Sequence, residues 1–478
     1  MFGIYGTRAT KETVALLKKT GASSVLLLGR NIETPAQTKA LCAELVQRVG
    51  RPLLFTVDHE GGWVLRFKSG VTAFPGNAAL GRAGDPRLAF ATGEIMGREL
   101  LSMGIQLNLA PVLDVLTPNY NPGIGIRSFG TDAKLVARLG AAFIKGMQKR
   151  GVSACAKHFP GKGAATVDAH VQLPTIRIQK PEFLRTHLAP FSAAVEAGVD
   201  CVMTSHVRFP ALDSEVATFS QKITRDLLRK KLGFKGVVIS DDLCMGAVTG
   251  SMPVQLAAVR AIEAGHDLLI IAHDKAAMGE SAELLEGAVA DGLIERGAIE
   301  DSARRVSRLL ERKRPSAAKP SAKEGARIAA ASARAAVSVD REGAVALPMK
   351  PDLILFPDFA QVKARFTFEG GANGPLNWLK AKRIAPIALT PIEKTELGEI
   401  SAKVRSAESI LFFCFEARRF PGQKAALELL NRQAPDKTAV CLIRNSWDLK
   451  LLHPRMTAVD ARGYRLCSLG AALEKMLP

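Results

Sequence analysis

Short apolar runs alternate with longer amphipathic stretches over the first two-thirds of the chain, and this alternation limits the fold more than any other feature. It is typical of repeated βα units. Several runs are apolar without alternation, as parallel strands buried on both faces are. The eight runs are Phe2–Tyr5, Ser24–Leu28, Leu53–Val57, Leu107–Leu109, Ser153–Ala156, Cys201–Thr204, Val237–Ser240 and Leu268–Ile271. Eight βα units predict an α/β fold, a (β/α)8 TIM-type barrel.

Polar residues follow seven of the eight runs, at the point where each predicted strand ends. They are Arg30-Asn31, Asp58-His59, Asp114, Lys157-His158, Ser205-His206, Asp241-Asp242 and His273. The carboxyl ends of barrel strands gather at one face, where catalytic groups of such barrels lie. Capping and solvation of loops would explain one or two such positions, but seven in succession predict an active site.

The chain is predicted to contain two domains joined by a linker. A helix with apolar residues at Ile299, Ala303, Val306 and Leu310 closes the barrel, which we place at residues 1–314. Residues 315–323, rich in Pro, Ser and Ala, predict an exposed linker. Residues 324–478 contain the apolar runs Leu353–Phe356, Ile410–Cys414 and Ala439–Ile443 and no dense group of polar residues, which predicts a smaller, accessory open α/β domain.

Several classes of protein are disfavoured by composition. No apolar run approaches the roughly 20 residues that cross a bilayer, and the amino terminus lacks the pattern of a signal peptide. The seven cysteines are scattered and form no C-x-x-C pair, which favours reduced thiols over disulfides or a zinc site. We therefore expect a soluble, cytoplasmic protein without a membrane partner.

The formal charge of +19 would ordinarily indicate binding to nucleic acid. Only three Tyr and three Trp accompany the charge, and no element combines basic with aromatic residues. We interpret much of the excess, including Arg304-Arg305 and Arg312-Lys313-Arg314, as solvated surface. No specific nucleic-acid partner is expected, and the sequence leaves the oligomeric state open.

The loop after the fifth run contains a candidate acid/base pair, Asp168 and His170. At i and i+2 they lie on one side of an extended segment, where the carboxylate accepts from one imidazole nitrogen and favours the protonated ring. The alternative is a solvated loop histidine beside an acidic residue. Gly161-Lys162-Gly163 lacks the spacing and the Ser/Thr of a phosphate-binding loop, and the loop's glycines predict mobility.

Asp241 lies at the end of a buried run, Val237–Ser240, where a carboxylate can attack an anomeric carbon. A metal site is the other interpretation of Asp241-Asp242. Neighbours in a strand point to opposite faces, so no metal site is predicted. Asp242 is expected to cap the following helix or to orient a neighbour.

Five motifs in this order resemble those of glycoside hydrolase family 3, in its bacterial β-N-acetylglucosaminidase branch. They are Asp58-His59-Glu60-Gly61-Gly62, Ile124-Gly125-Ile126-Arg127-Ser128-Phe129-Gly130, Lys157-His158-Phe159-Pro160-Gly161, Asp168-Ala169-His170 and Ser240-Asp241-Asp242-Leu243. The resemblance runs through the predicted barrel and extends only in general texture to the carboxy-terminal region.

The resemblance implies a role for each matching residue. It makes Asp241 the nucleophile, His170 the acid/base and Asp168 the partner of His170. The implied sugar-binding residues are Asp58, Arg66, Arg127, Lys157 and His158.

Four positions depart from the family pattern without removing a catalytic group. Trp63 stands where Arg is usual, Lys162 replaces a second His, Ala169 replaces a small hydroxyl residue and Cys244 replaces Ser. Trp63 would alter loop packing or offer a stacking face for sugar.

The resemblance implies a retaining glycosidase that releases terminal β-linked N-acetylglucosamine by double displacement, plausibly from muropeptide-type fragments of peptidoglycan. The mechanism needs no metal or organic cofactor. Four alternatives stay open: β-glucosidase or β-xylosidase specificity, phosphorolysis, a Schiff-base lyase that uses Lys157, and a non-catalytic sugar-binding protein. The intact Asp168, His170 and Asp241 argue against the last of these.

Overall fold

The structure is a computed structural model. It describes residues 1–67, 69–117, 121, 123–315, 320–341, 343, 351–365, 383–444 and 446–476. Part of the predicted linker, residues 316–319, lies outside the described residues.

The first compact unit comprises residues 1–60, 66–72 and 84–325 and is built on a barrel sheet. Its eight strands are parallel neighbours in chain order, from β1 to β8. They are β1 Phe2–Gly3, β2 Ser24–Leu27, β3 Leu54–Val57, β4 Leu107–Asn108, β5 Ser153–Phe159, β6 Cys201–Thr204, β7 Val237–Asp242 and β8 Leu268–Ile270. Phe2 bridges Ile271, just after β8, and so brings the last strand back to the first. The predicted barrel is confirmed.

Several of the helices that alternate with these strands begin at a capping side chain. Asp85 and Asp132, for example, accept from backbone N–H groups in the first turns of the helices that follow them. The α-helices up to residue 336 are α1 Lys11–Thr20, α2 Pro35–Val49, α3 Asn77–Ala83, α4 Pro86–Ser102, α5 Ala133–Lys149, α6 Lys180–Thr186, α7 Ala189–Glu196, α8 Gly246–Thr249, α9 Val254–Ala264, α10 Lys275–Ala290, α11 Arg296–Glu311 and α12 Ala322–Ala336. A π-helix spans Lys222–Lys231.

Glycines allow α4 and α5 to pack closely. A Cβ atom on Gly93 would lie 2.3 Å from the carbonyl oxygen of Phe143, and one on Gly146 would lie 2.1 Å from that of Phe90. Only glycine fits at such a crossing. Inside the barrel, Leu107, Cys155 and Ile239 belong to one buried apolar cluster, which makes the interior a packed core.

The second compact unit comprises residues 326–478 together with residues 61–65 and 73–83. Its sheet has the order β11-β10-β12-β13-β14-β9, in which only β9 runs antiparallel to its neighbour. The strands are β9 Ser338–Arg341, β10 Leu353–Pro357, β11 Arg383–Ile387, β12 Ile410–Cys414, β13 Thr438–Leu442 and β14 Thr457–Asp460. Besides α3 and most of α12, the helices described in this unit are α13 Phe359–Arg365, α14 Lys394–Ser406, α15 Pro421–Gln433 and α16 Leu466–Met476. The predicted open α/β fold of this region is confirmed.

No helix in the described ranges is both long enough and apolar enough to cross a lipid bilayer.

Candidate active site

A buried lysine forms the centre of a charged cluster at the carboxyl end of the barrel. Lys157 lies on β5, and its side chain is 2% exposed. Its Nζ lies 2.6 Å from Asp58 Oδ1 and 2.7 Å from Glu60 Oε1, and both carboxylates follow β3. Burial alone would lower the pKa of Lys157, but the two carboxylates outweigh it and raise that pKa. The ammonium therefore stays charged.

Two arginines complete the same cluster. Arg127 holds Glu60 by two hydrogen bonds, with Nε at 2.9 Å from Oε2 and Nη2 at 2.7 Å from Oε1. Arg66 reaches Asp58 Oδ2 at 3.5 Å. Burial opposes ionisation of Asp58, yet Lys157 and Arg66 hold its pKa below the ordinary value. Fixed donors and acceptors of this kind are suited to the hydroxyl groups of one sugar.

Glu60 lies within the Asp58–Gly62 motif but is not among the site residues that the sequence predicts. The structure shows that it joins Arg127 to Lys157. The available signal was its position in the Asp-His-Glu run after β3, because a carboxylate there faces the strand-end cations.

His158 is oriented by a buried carboxylate that the sequence placed only at a strand end. Its Nδ1 lies 2.7 Å from Asp114 Oδ2, and Asp114 Oδ1 accepts from the backbone N–H of Lys162 at 2.6 Å. Burial and the neighbouring Lys162 and Arg127 hold the pKa of His158 well below its ordinary value. Burial also raises the pKa of Asp114 to about 6, despite the opposing charge of Lys162. The neutral ring donates from Nδ1, which leaves Nε2 as an acceptor.

Asp241, the predicted nucleophile, lies at the end of β7 with a side chain that is 16% exposed. Its Oδ1 accepts from the N–H of Asp242 at 3.0 Å, and its Oδ2 lies 3.5 Å from Lys162 Nζ. Burial raises the pKa of Asp241, but the charges of Lys162, His206 and His170 outweigh it and lower the pKa to about 2. The carboxylate is therefore ionised at neutral pH, as a nucleophile must be.

Lys162 contacts this carboxylate, although the sequence marked it only as a departure from the family pattern. Its side chain is 7% exposed, and its ammonium is the cation nearest to Asp241 among the ion pairs of the described residues. Sequence spacing gives no signal for a contact between positions 79 residues apart.

Asp242 has a different role from Asp241. Its Oδ1 accepts from the N–H groups of Cys244 and Ala272, both at 3.1 Å. Its Oδ2 lies 3.7 Å from His273 Nε2. Asp242 thus ties the turn after β7 to the end of β8, as its expected role of orienting neighbours implies.

Asp168 and His170 form the predicted pair. His170 Nδ1 lies 2.7 Å from Asp168 Oδ1, and the same oxygen accepts from the N–H of His170 at 3.0 Å. Burial raises the pKa of Asp168, but the hydrogen bond and charge of His170 outweigh it and bring it well below the ordinary value. The imidazole is 59% exposed and reachable by substrate.

The loop that carries Asp168 and His170 contains glycines that predict mobility. In the structure, this loop is hydrogen-bonded to the segment that follows Asp241. The N–H of Gly246 donates to the carbonyl of His170 at 3.2 Å, and that of Ala247 donates to the carbonyl of Ala169 at 3.1 Å. Arg127, Lys162, Asp168 and His170 line one cleft. Because Lys162 also contacts Asp241, the Asp168–His170 pair, Arg127 and the cation beside Asp241 share one region.

Trp63 does not offer the stacking face that the sequence suggested. It belongs to the second unit, is 7% exposed, and packs against Phe415 and Tyr464 with ring centroids 6.1 and 5.4 Å away. The guanidinium of Arg444 covers its ring at 4.2 Å. Of the two alternatives for Trp63, altered loop packing or a stacking face, the structure contradicts the stacking face, because burial and a cation–π contact occupy the indole.

Comparison with known proteins agrees with this geometry. The sequence profile described as "Glycosyl hydrolase family 3 N terminal domain" matches residues 3–309. A β-hexosaminidase of Thiobacillus denitrificans is 37% identical over 277 residues, which are 57% of this chain and 77% of that protein. One from Stenotrophomonas maltophilia is 35% identical over 311 residues, 63% of this chain and 92% of that protein.

A solved structure resembles nearly the whole chain. The family 3 β-N-acetylglucosaminidase of Paenibacillus sp. str. FPU-7 matches with a TM-score of 0.88 at 31% identity. The match covers 98% of this chain and 93% of that chain.

Proposed function

The chain belongs to glycosyl hydrolase family 3 and is a β-N-acetylhexosaminidase, and from that premise we propose that it works by double displacement through a covalent glycosyl-enzyme. Asp241 is the nucleophile and His170 the acid/base in this proposal. The observation that carries it is the ionised, largely buried Asp241, which shares Lys162 with the cleft of the Asp168–His170 pair.

In the first step, a carboxylate oxygen of Asp241 attacks the anomeric carbon while the bond to the leaving oxygen breaks. His170 gives its proton to that oxygen and becomes neutral. In the second step, neutral His170 takes a proton from water, whose oxygen attacks the anomeric carbon and releases Asp241. Two inversions give net retention of configuration.

Asp168 supports both steps. As an ionised acceptor it fixes the ring of His170 and stabilises the imidazolium that forms when water is activated. No step of this mechanism uses a metal or an organic cofactor.

The sugar is proposed to bind at Asp58, Arg66, Arg127, Lys157 and His158. Asp58, Arg66, Arg127 and Lys157 are joined with Glu60 in one network of ion pairs, which supports this proposal. His158 bonds through Nδ1, and among the described residues its Nε2 has no hydrogen-bond partner. Together these groups present charged donors and acceptors at the strand ends. Glu60 holds Arg127 and Lys157 in place.

We further propose that the substrate is a small N-acetylglucosaminide, in particular a muropeptide-type fragment met in the cytoplasm during peptidoglycan recycling. The N-acetylglucosaminidase named among the similar structures supports the sugar. All seven cysteines are free thiols, which suits a reducing compartment.

All catalytic groups are proposed to lie in a catalytic domain at residues 1–314, with residues 324–478 accessory. The positions of Asp168, His170 and Asp241 support this division. A structure with a trapped substrate tests it, and an acidic side chain from residues 324–478 at the glycosidic oxygen would overturn it.

Replacing His170 with Ala tests the assignment of the acid/base. An acid matters most when the leaving oxygen is basic. The variant should therefore lose about a hundredfold or more on a natural disaccharide, yet keep much of the first step on an activated aryl glycoside. Added azide should then restore turnover on the activated substrate, since it attacks without base assistance. Equal losses on all leaving groups, with no azide effect, would make His170 a binding residue.

A panel of aryl β-glycosides tests the reaction and the sugar. The N-acetylglucosaminide, glucoside and xyloside are compared with and without phosphate. The proposal expects N-acetylglucosamine as the product in both conditions. A sugar 1-phosphate formed in phosphate would replace hydrolysis with phosphorolysis.

A further inference from the structure

A cavity of about 410 Å³ lies at the amino-terminal end of the barrel strands, opposite the end that carries the charged cluster around Lys157. It opens beside the residues that precede β6 and β7, namely Asp200 and Gly236. In a barrel of this type that end carries no catalytic groups. The cavity is therefore separate from the proposed active site.

The cavity wall is cationic. Arg305 and Arg308 lie on α11 at i and i+3, and Arg312 follows at i+7 as the residue that caps the carboxyl end of the helix. Lys235, just before β7, adds a fourth cation, and Asp200 is the one carboxylate in the lining.

The pairing of these cations is incomplete. Arg305 Nε lies 3.0 Å from Asp267 Oδ1, and Arg312 Nη1 lies 2.5 Å from Asp200 Oδ2. Asp267 is also bound by Arg229 and so neutralises Arg305 only in part. Within the described ranges, Arg308 and Lys235 form no salt bridge, so positive charge faces the cavity without compensation.

The basic runs Arg304-Arg305 and Arg312-Lys313-Arg314 are predicted to be solvated surface, and for Arg304 the structure agrees. Arg304 is 60% exposed and pairs with Asp301 three residues away. Its neighbour Arg305 is 25% exposed and lines the cavity instead. The basic excess is therefore partly concentrated in a concave site.

We propose that this cavity binds a small polyanion carrying two or more phosphate groups. The planar fork of Arg matches phosphate oxygens, and the volume lies within the roughly 300–1,000 Å³ of small-molecule sites. The described lining carries four cations and one carboxylate, which is more positive charge than a single phosphate group neutralises. A nucleic acid would instead need an extended basic surface that follows its backbone.

Isothermal titration of the full chain tests the proposal, with orthophosphate, pyrophosphate and tripolyphosphate as probes. Tripolyphosphate should bind more tightly than orthophosphate, and N-acetylglucosamine should not displace it. The double variant Lys235→Gln, Arg308→Gln should bind it about tenfold or more weakly, since each lost charged hydrogen bond is a sizeable part of such an affinity.

The matched control is Lys230→Gln, Arg304→Gln. It removes the same charge from the neighbouring π-helix and from α11, and its side chains are exposed like those of Lys235 and Arg308 but pair outside the cavity. It should bind tripolyphosphate within about twofold of the unmodified chain, because surface pairs contribute little. Circular dichroism verifies that both variants are folded.

Three results would overturn the proposal. Equal weakening in the two double variants would indicate general surface charge. Absence of heat with every phosphate probe would show that the cavity is not a polyanion site. Binding of duplex DNA without binding of tripolyphosphate would assign the charge to a nucleic-acid surface.

Discussion

Lys162 lowers the pKa of Asp241, the proposed nucleophile. Replacement of Lys162 with methionine removes this effect while keeping most of the side-chain volume. Its ammonium lies 3.5 Å from Asp241 Oδ2, with both side chains largely buried. Two unit charges at this separation attract by about 5 kcal/mol at an effective dielectric constant of about 20. At 1.36 kcal/mol per pKa unit, this is an upper limit of about three and a half units.

The direction in which the pH profile of kcat/KM should move follows from the direction of the pKa shift of Asp241. The pKa of Asp241 is about 2, below its ordinary value, so the carboxylate loses its charge only when the pH falls through that low value. In Lys162→Met, burial still raises the pKa while the largest opposing charge is gone. We expect the pKa to rise by about two units, and the acid limb of kcat/KM should move upward with it.

The assay measures kcat/KM from about pH 3 to 8. The substrate is an activated aryl β-N-acetylglucosaminide, because its leaving group makes the smallest demand on the acid catalyst. Lys162→Arg keeps the charge and should retain the unmodified profile. Lys222→Met, at a lysine that is 70% exposed, controls for loss of a surface charge. A Lys162→Met profile that shows no acid limb above about pH 3, as expected of the unmodified chain, would refute the electrostatic reasoning.

Three further predictions follow from the same contacts. Asp241→Asn should lower kcat/KM by about a thousandfold or more while the fold survives, and a slow fluorinated substrate should label the peptide with Asp241; labelling elsewhere would contradict the assignment. Asp168→Asn should act as a milder form of His170→Ala, with kcat falling most for poor leaving groups, and a uniform loss would exclude an orienting role. Trp63→Ala should destabilise the chain by about 3–5 kcal/mol, seen as a lower thermal midpoint with Trp63→Phe as the conservative control, whereas an unchanged midpoint would contradict the burial of the indole.

The barrel could be predicted because its strands appear in the sequence as unbroken apolar runs. Ser24–Leu27 and Cys201–Thr204 are buried along their whole length, and the sequence shows this directly. β9 could not be predicted, because its Ser-Val-Asp-Arg residues are polar and partly exposed. The assignment of residues 61–65 to the second unit depends on non-local packing that no local pattern records.

For the candidate site, the sequence indicated which residues converge but not what holds them. Strand ends of a barrel meet at one face, so Asp58 and Lys157 could be placed together from their positions. The contact of Asp114 with His158 spans 44 residues and that of Lys162 with Asp241 spans 79. Such pairings depend on side-chain direction and burial in three dimensions, which spacing along the chain does not encode.

Gly246 shows how closely the acid/base loop depends on the segment after the nucleophile. A Cβ atom at this position would lie 2.7 Å from the carbonyl oxygen of His170 and 2.6 Å from that of Val171. Both are backbone atoms that cannot rotate away, so Gly246→Ala must displace the backbone at His170 and Val171, the backbone at residue 246, or both. Asp241 precedes the turn and stays on β7. The variant therefore separates displacement of the dyad from displacement of the nucleophile.

Because misplacement of a catalytic group by about 1 Å can cost about a hundredfold, Gly246→Ala should lower kcat/KM by about tenfold to a hundredfold on a disaccharide and much less on an activated aryl glycoside. Gly279→Ala is the control, since a Cβ atom there meets nothing within 4 Å and alanine favours the helix. It should leave both rates unchanged. Equal losses on both substrates in Gly246→Ala would mean that the nucleophile had moved as well. Full activity on the disaccharide would mean that the loop does not need this close backbone contact to place His170.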